Sequence, residues 1–165
     1  MSLPSLLKIE CIVNSHRQLR LTSCFQSAPE LWLKIKGVIR ISEYPEQHIP
    51  ENDGRGYEPF PNNGLKVYGR KRVHFEKITF DFPYDEMRER FREELHRGNP
   101  VVVSLRSAPL NPWHGYVVCE EVGGDFSLFS KSSPPNSVTI KSLLNLHLTT
   151  QEKVDCLFMT RPKDQ

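Results

Sequence analysis

The stretch Gly98-Asn99-Pro100-Val101-Val102-Val103-Ser104-Leu105, followed by His114-Gly115-Tyr116-Val117-Val118-Cys119-Glu120-Glu121-Val122-Gly123-Gly124-Asp125-Phe126-Ser127-Leu128-Phe129, decides the fold class. Gly98-Asn99-Pro100 ends the segment before it, because glycine accepts the left-handed conformation that terminates a helix and proline cannot continue one. Val101 to Leu105 is then an apolar run of strand type. Gly115 to Val122 and Phe126 to Phe129 flank Gly123-Gly124-Asp125, the pattern of a β-hairpin. Upstream, Tyr84, Met87, Phe91 and Leu95 mark one face of a helix over Tyr84 to Arg97, and Val73 to Phe82 reads as extended. Downstream, Ile140 to Leu148 reads as a short helix and Val154 to Met159 as a final strand. Helices first and successive antiparallel strands last make the chain α+β, with the helices expected on one side of an antiparallel sheet.

The N-terminal third carries two further elements and one long gap. Leu6 to Val13 reads as a short apolar strand, and Asn14 to Ser23 as a polar loop. Cys24, Ala28, Leu31, Trp32 and Ile35 then recur at helical steps up to Gly37. Two capping boxes compete for the start of this helix: Ser23 with Gln26, and Ser27 with Glu30. The second keeps Pro29 near the helix start, where a missing N–H does least harm, so it is the preferred reading. Ser42 to Leu65 is rich in Pro, Asn, Gly and Asp and reads as one long loop, a functional wall or lid, or an insertion.

Composition bounds the function without naming it. The chain has 165 residues, 38% hydrophobic and 25% charged, as one globular domain over residues 1 to 165 would have. Twenty-two basic against 20 acidic residues leave +2, so we expect no nucleic-acid partner. No apolar run is long enough to span a bilayer and Met1 to Leu7 lacks signal-peptide character, so no membrane partner and a cytosolic location are expected. Cys11, Cys24, Cys119 and Cys156 are too scattered for a disulfide framework, and reduced thiols are expected. No Cys-x-x-Cys or His-x-x-x-His spacing argues for a metal, and Gly54 with Gly56 is far short of a phosphate loop, so no metal and no cofactor are expected. Lys66, Arg70, Lys71 and Arg72 with Tyr68 and Phe75 match a phosphate or RNA patch, but in a chain this near neutral a solvated face is the preferred reading, and the Glu/Arg-rich stretch from Glu86 to Arg97 reads as the exposed side of its helix.

Cys24 is the most informative single residue. Backbone N–H groups at a helix start lower a thiol pKa and favour the nucleophilic thiolate, although a cysteine on an apolar helix face is also an ordinary core residue. Gln18 precedes it by six residues, and His114 stands at the mouth of a strand after Pro109, Pro112 and Trp113. Thiol chemistry needs an imidazole to take a proton and donors for the oxyanion.

In these residues and their order, Gln18-Leu19-Arg20-Leu21-Thr22-Ser23-Cys24, Gly98-Asn99-Pro100 before Val101-Val102-Val103, then His114-Gly115-Tyr116-Val117-Val118, the chain resembles the papain-like cysteine peptidases, in particular their bacteriocin-processing, double-glycine branch. The resemblance covers most of the chain except Ser42 to Leu65. It implies a papain-like fold in which Cys24 attacks, His114 serves as base and then acid, and Gln18 helps form the oxyanion hole. Two positions depart from the family pattern. Phe25 stands where a small residue is usual. The residue that orients the histidine, an Asp or Asn about sixteen positions on, falls at Ser130, followed by Lys131; Asp125 and Asn136 are the nearest other candidates. A backbone carbonyl or the Ser130 hydroxyl is therefore expected to hold His114, with Asp125 too far round the hairpin. The implied activity is cysteine-dependent hydrolysis of a peptide or protein substrate through an acyl-enzyme, Cys24, His114, Gln18 and Ser130 being the site residues. A non-catalytic peptide-binding module and an acyltransferase are the alternatives.

Overall fold

A computed structural model describes residues 3–17, 24–47, 63–106, 113–131, 138–142, 151–160 and 163–164. Its elements in chain order are α1 (Leu6–Ser15), α2 (Cys24–Ile35), β1 (Gly64–Tyr68), β2 (Lys71–Phe80), α3 (Asp85–His96), β3 (Val101–Leu105), β4 (His114–Val122), β5 (Asp125–Lys131), β6 (Val138–Ser142), β7 (Val154–Met159) and β8 (Lys163–Asp164). The strands join one sheet in the order β1-β2-β7-β3-β4-β5-β6, with β8 also paired to β2, and every pairing is antiparallel. The α+β class read from the sequence is the class observed. No helix among the described residues is long and apolar enough to cross a membrane.

The centre of the sheet explains its layers. All five residues of β3 are buried, and a strand apolar at nearly every position needs cover on both faces. Val102, with Val117 and Phe129 beside it on β4 and β5 and Leu157 on β7, faces a core built with Ile9, Ile12 and Val13 of α1 and Leu31, Trp32 and Ile35 of α2. Val101, Val103 and Leu105, with Tyr116, Val118, Leu128 and Phe158, face Met87 and Phe91 of α3. Phe91 lies edge-on to Phe126, ring centroids 5.4 Å apart. The helices therefore cover both faces of the sheet, α1 and α2 on one and α3 on the other, and the one-sided arrangement expected from the sequence is corrected. The reason is side-chain alternation, which divides the apolar residues of β3, β4 and β5 between two cores.

Local chemistry sets the boundaries. In α3, Asp85 and Glu86 occupy the first turn, where acidic groups favour the helix dipole, and Gly98 at φ 79° ends the helix as the sequence reading expects. Gly123 and Gly124, at φ 60° and 83°, make the tight β4–β5 turn, a conformation costly for any residue with a Cβ. Three other expectations are corrected. Leu6 to Val13 is helical: Ser5 Oγ accepts from Lys8 N at 3.3 Å, and Ile9, Ile12 and Val13 are buried at helical spacing while Leu7 is 72% exposed. Helix α2 begins at Cys24, which leaves Pro29 inside it. Ser27 is not its cap, because its hydroxyl and carbonyl oxygens lie 2.9 and 3.0 Å from His16 Nε2. Residues Ile140 to Ser142 belong to strand β6, where Ile140 pairs with Phe129; the remainder of the helix expected there lies outside the described residues. Of the Ser42 to Leu65 loop, residues 42–47 form turns, β1 begins at Gly64, and 48–62 lie outside the described residues.

Candidate functional site

Strands β4 and β5 bring His114 and Ser130 together. Val117 pairs with Phe129 and Val118 with Leu128, so Ser130 falls beside the start of β4. Ser130 Oγ lies 2.8 Å from His114 Nε2. Ser130 is buried, His114 is partly exposed, and the His114 ring meets the Tyr116 ring edge-on with centroids 4.9 Å apart. The Ser130 hydroxyl can accept from Nε2–H or donate to Nε2; in the first case Nδ1 carries the lone pair, the form a general base facing away from Ser130 requires. Asp125 begins β5 at the hairpin turn, where its Oδ1 accepts from Phe126 N at 2.8 Å. It pairs with Val122, eight residues along β4 from His114, a separation of roughly 26 Å at strand rise. Asn136 and Gln18 lie outside the described residues.

Cys24 opens α2, and the direction of that helix follows from its other end. Trp32 Nε1 donates to Pro100 O at 2.7 Å, Lys36 Nζ to Gly98 O at 2.6 Å, and Lys71 Nζ to Gly37 O at 3.0 Å. The C-terminal half of α2 is thus tied to the residues that lead into β3 and to the start of β2. Because β3 runs antiparallel to β4, with Leu105 opposite His114, the N-terminal half lies toward the end of the sheet at which β4 begins. Trp113, next to His114, packs on the core shared with α2. The same alternation that directs Trp113 to α2 sends His114, with Tyr116 and Val118, to the α3 face. Helix α2, which Cys24 opens, packs on one face of the sheet, whereas His114, opposite Leu105, falls on the other.

The segment before Gln18 is fixed against α2. His16 is buried on Ser27, within one turn of Cys24, and Gln47 Nε2 donates to Arg17 O at 3.0 Å. Cys11, Cys119 and Cys156 carry free thiols. Burial pushes the thiols of Cys119 and Cys156 well above the ordinary range, with Glu120 and Asp155 adding to the effect, so neither is a nucleophile at neutral pH.

A buried polar cluster on α2 went unread in the sequence. Glu30, fully buried, accepts from Gln47 Nε2 at 2.6 Å and from Glu46 N at 2.8 Å. Desolvation raises its pKa to about 7 against those hydrogen bonds and Lys34. Lys34, one turn on and 3% exposed, has its Nζ 3.6 Å from the centre of the Tyr44 ring, and burial lowers its pKa to about 8. Glu46 in turn accepts from Lys66 Nζ at 2.8 Å and from Tyr68 Oη at 2.5 Å. Glu30 and Lys34 lie at i and i+4, the spacing of an exposed ion pair. Nothing local distinguishes that from a pair covered by residues 44–47 and β1. These contacts clamp the base of the long loop to α2. Among the described residues, no group of three or more His, Cys, Asp or Glu side chains is arranged to hold a metal ion.

No protein-family model matches the chain, and no curated protein or solved structure matches it.

Proposed function

We propose that the protein is a cytosolic, cysteine-dependent hydrolase of peptide or protein amide bonds on a papain-like scaffold. The contact between His114 and Ser130, sixteen residues apart in the chain and at the end of the sheet near which α2 begins, is the observation that carries the reading. Cys24 attacks the carbonyl carbon as a thiolate. The Gln18 side chain and the Cys24 backbone N–H stabilise the oxyanion, and His114 returns the thiol proton to the leaving amine as the C–N bond breaks. Water, deprotonated by the same imidazole, then attacks the thioester and releases the acid and the thiol. An amine in place of water at that step would make the protein an acyltransferase. Ser130 is a positioning residue: it holds the ring without a charge to stabilise the imidazolium.

A second reading, a non-catalytic peptide- or protein-binding module on the same scaffold, is favoured by the placement of His114 on the α3 face. One experiment separates them: the rate of iodoacetamide labelling at Cys24 and Cys11, followed by peptide mapping from pH 5 to 9, in the protein and in His114→Ala. A thiol pKa lowered to about 6 makes Cys24 about tenfold faster than exposed Cys11 at pH 6, after allowing for the lower nucleophilicity of a less basic thiolate. His114→Ala abolishes that excess. Equal rates for the two cysteines at every pH, unchanged by His114→Ala, would refute the hydrolase reading.

A further inference from the structure

The far end of α2, away from Cys24, borders a groove of about 980 Å³ between residues 37–45 and the β1–β2 turn. Val38, Ile39 and Pro45 give its lining an apolar part and Tyr44 and Tyr68 an aromatic one. Both tyrosines are held in place. Tyr44 is backed by Lys34 at 3.6 Å and stacks with His16 at 5.7 Å, while Tyr68 donates to Glu46.

The rim is cationic. Arg40, Arg70 and Lys71 face Glu43 alone among the charged lining residues, a local excess of 3 − 1 = +2, equal to that of the whole chain. Glu43 is already committed, holding Arg40 Nη2 at 3.1 Å and Arg40 N at 2.7 Å. Arg70 makes no hydrogen bond or ion pair to any described residue. Lys71 donates to the carbonyl of Gly37, just past the last turn of α2, where it offsets the negative helix end that would otherwise repel an anion. Arg70, and Lys71 opposite Asp164 in the β2–β8 register, thus place two cations beside an apolar and aromatic lining, which is complementary to one kind of ligand.

We infer that this groove binds a small organic anion, a phosphate or carboxylate head held by Arg70 and Lys71 with an apolar body lying between Tyr44 and Tyr68. The volume is that of a site for a molecule of cofactor or drug size. A dianionic head binds more tightly than a monoanionic one, because each rim cation interacts with both charges.

The test uses phenyl phosphate, benzoate and benzyl alcohol as probes, titrated into the ¹⁵N-labelled full chain while the amide resonances are followed. Phenyl phosphate is expected to move Gly37, Gly69 and Lys71 and to bind more tightly than benzoate, and benzyl alcohol to leave them in place. Arg70→Gln, a turn substitution, weakens phenyl phosphate about thirtyfold, the effect of removing one unit charge from contact with a dianion in water. Equal shifts from benzyl alcohol, shifts confined to other residues, or an unchanged affinity in Arg70→Gln would each overturn the assignment. None of these readouts involves Cys24, so a negative result leaves the hydrolase reading as it stands.

Discussion

Replacing Glu30 by Gln should change how the stability of the protein depends on pH, and the size of the change follows from the burial of that carboxyl. Its pKa is raised from 4.5 to about 7 in the fold. At about 1.4 kcal/mol per pH unit, that difference is worth about 3 kcal/mol as an upper limit. Below pH 4.5 the carboxyl is protonated in folded and unfolded chains alike and contributes no dependence. Between 4.5 and 7 the unfolded chain has released the proton that the folded chain still holds, so stability falls as pH rises; above about 7 the loss is complete. Lys34 enters only later. Its pKa is lowered to about 8, so its own contribution returns stability as pH climbs from 8 toward 10.5. The substituted glutamine has no charge to lose, but its amide nitrogen would face either Glu46 N or Gln47 Nε2, both donors. That mismatch costs about 1 to 3 kcal/mol at every pH. Urea unfolding at pH 4.5 to 7.5 should therefore show the native protein more stable than Glu30→Gln at the acid end, with the gap shrinking by about 2 to 3 kcal/mol toward neutrality. A gap that stays constant across this range would refute the reasoning.

Two other substitutions test different parts of the fold. Trp32→Phe keeps an aromatic ring in the core but leaves the Pro100 carbonyl without its buried donor, and it should cost about 1 to 3 kcal/mol in urea unfolding with little change in the slope of the transition. Ser130→Ala removes the hydroxyl from His114 Nε2, and should lower the Cys24 labelling rate modestly while Asp125→Asn leaves it unchanged; a loss in Asp125→Asn as large as that in His114→Ala would restore a carboxylate partner.

What could be read in the sequence was what short-range pattern encodes. Val101 to Leu105, the Gly123-Gly124 turn, the helix before Gly98 and the last long strand all carry their own local signals. The unbroken burial of β3 also held the clue to two-sided cover, since a strand with one wet face alternates. Leu6 to Val13 misled because its apolar positions satisfy a strand as easily as the helix stripe of Ile9, Ile12 and Val13. Ile140 misled because its partner, Phe129, is remote in the chain. At the candidate site, the sixteen-residue offset from His114 to Ser130 pointed to a pair that β4 and β5 do bring into contact. The cover over Glu30 could not be read, because residues 44–47 and β1 reach α2 only through the tertiary fold.

The position of β7 has a consequence for assembly. Strands β1 and β2 are adjacent in the sheet, and so are β3 to β6, but the two sets touch only through β7, which pairs with β2 on one side and β3 on the other. It is synthesised after both. The edges of β2 and β3 that Val154–Met159 fills are therefore satisfied only by long-range pairing, Phe75 with Met159 and Val102 with Leu157 among them. Loop-closure cost in this sheet thus falls largely on one six-residue strand, whose apolar side chains serve both cores at once.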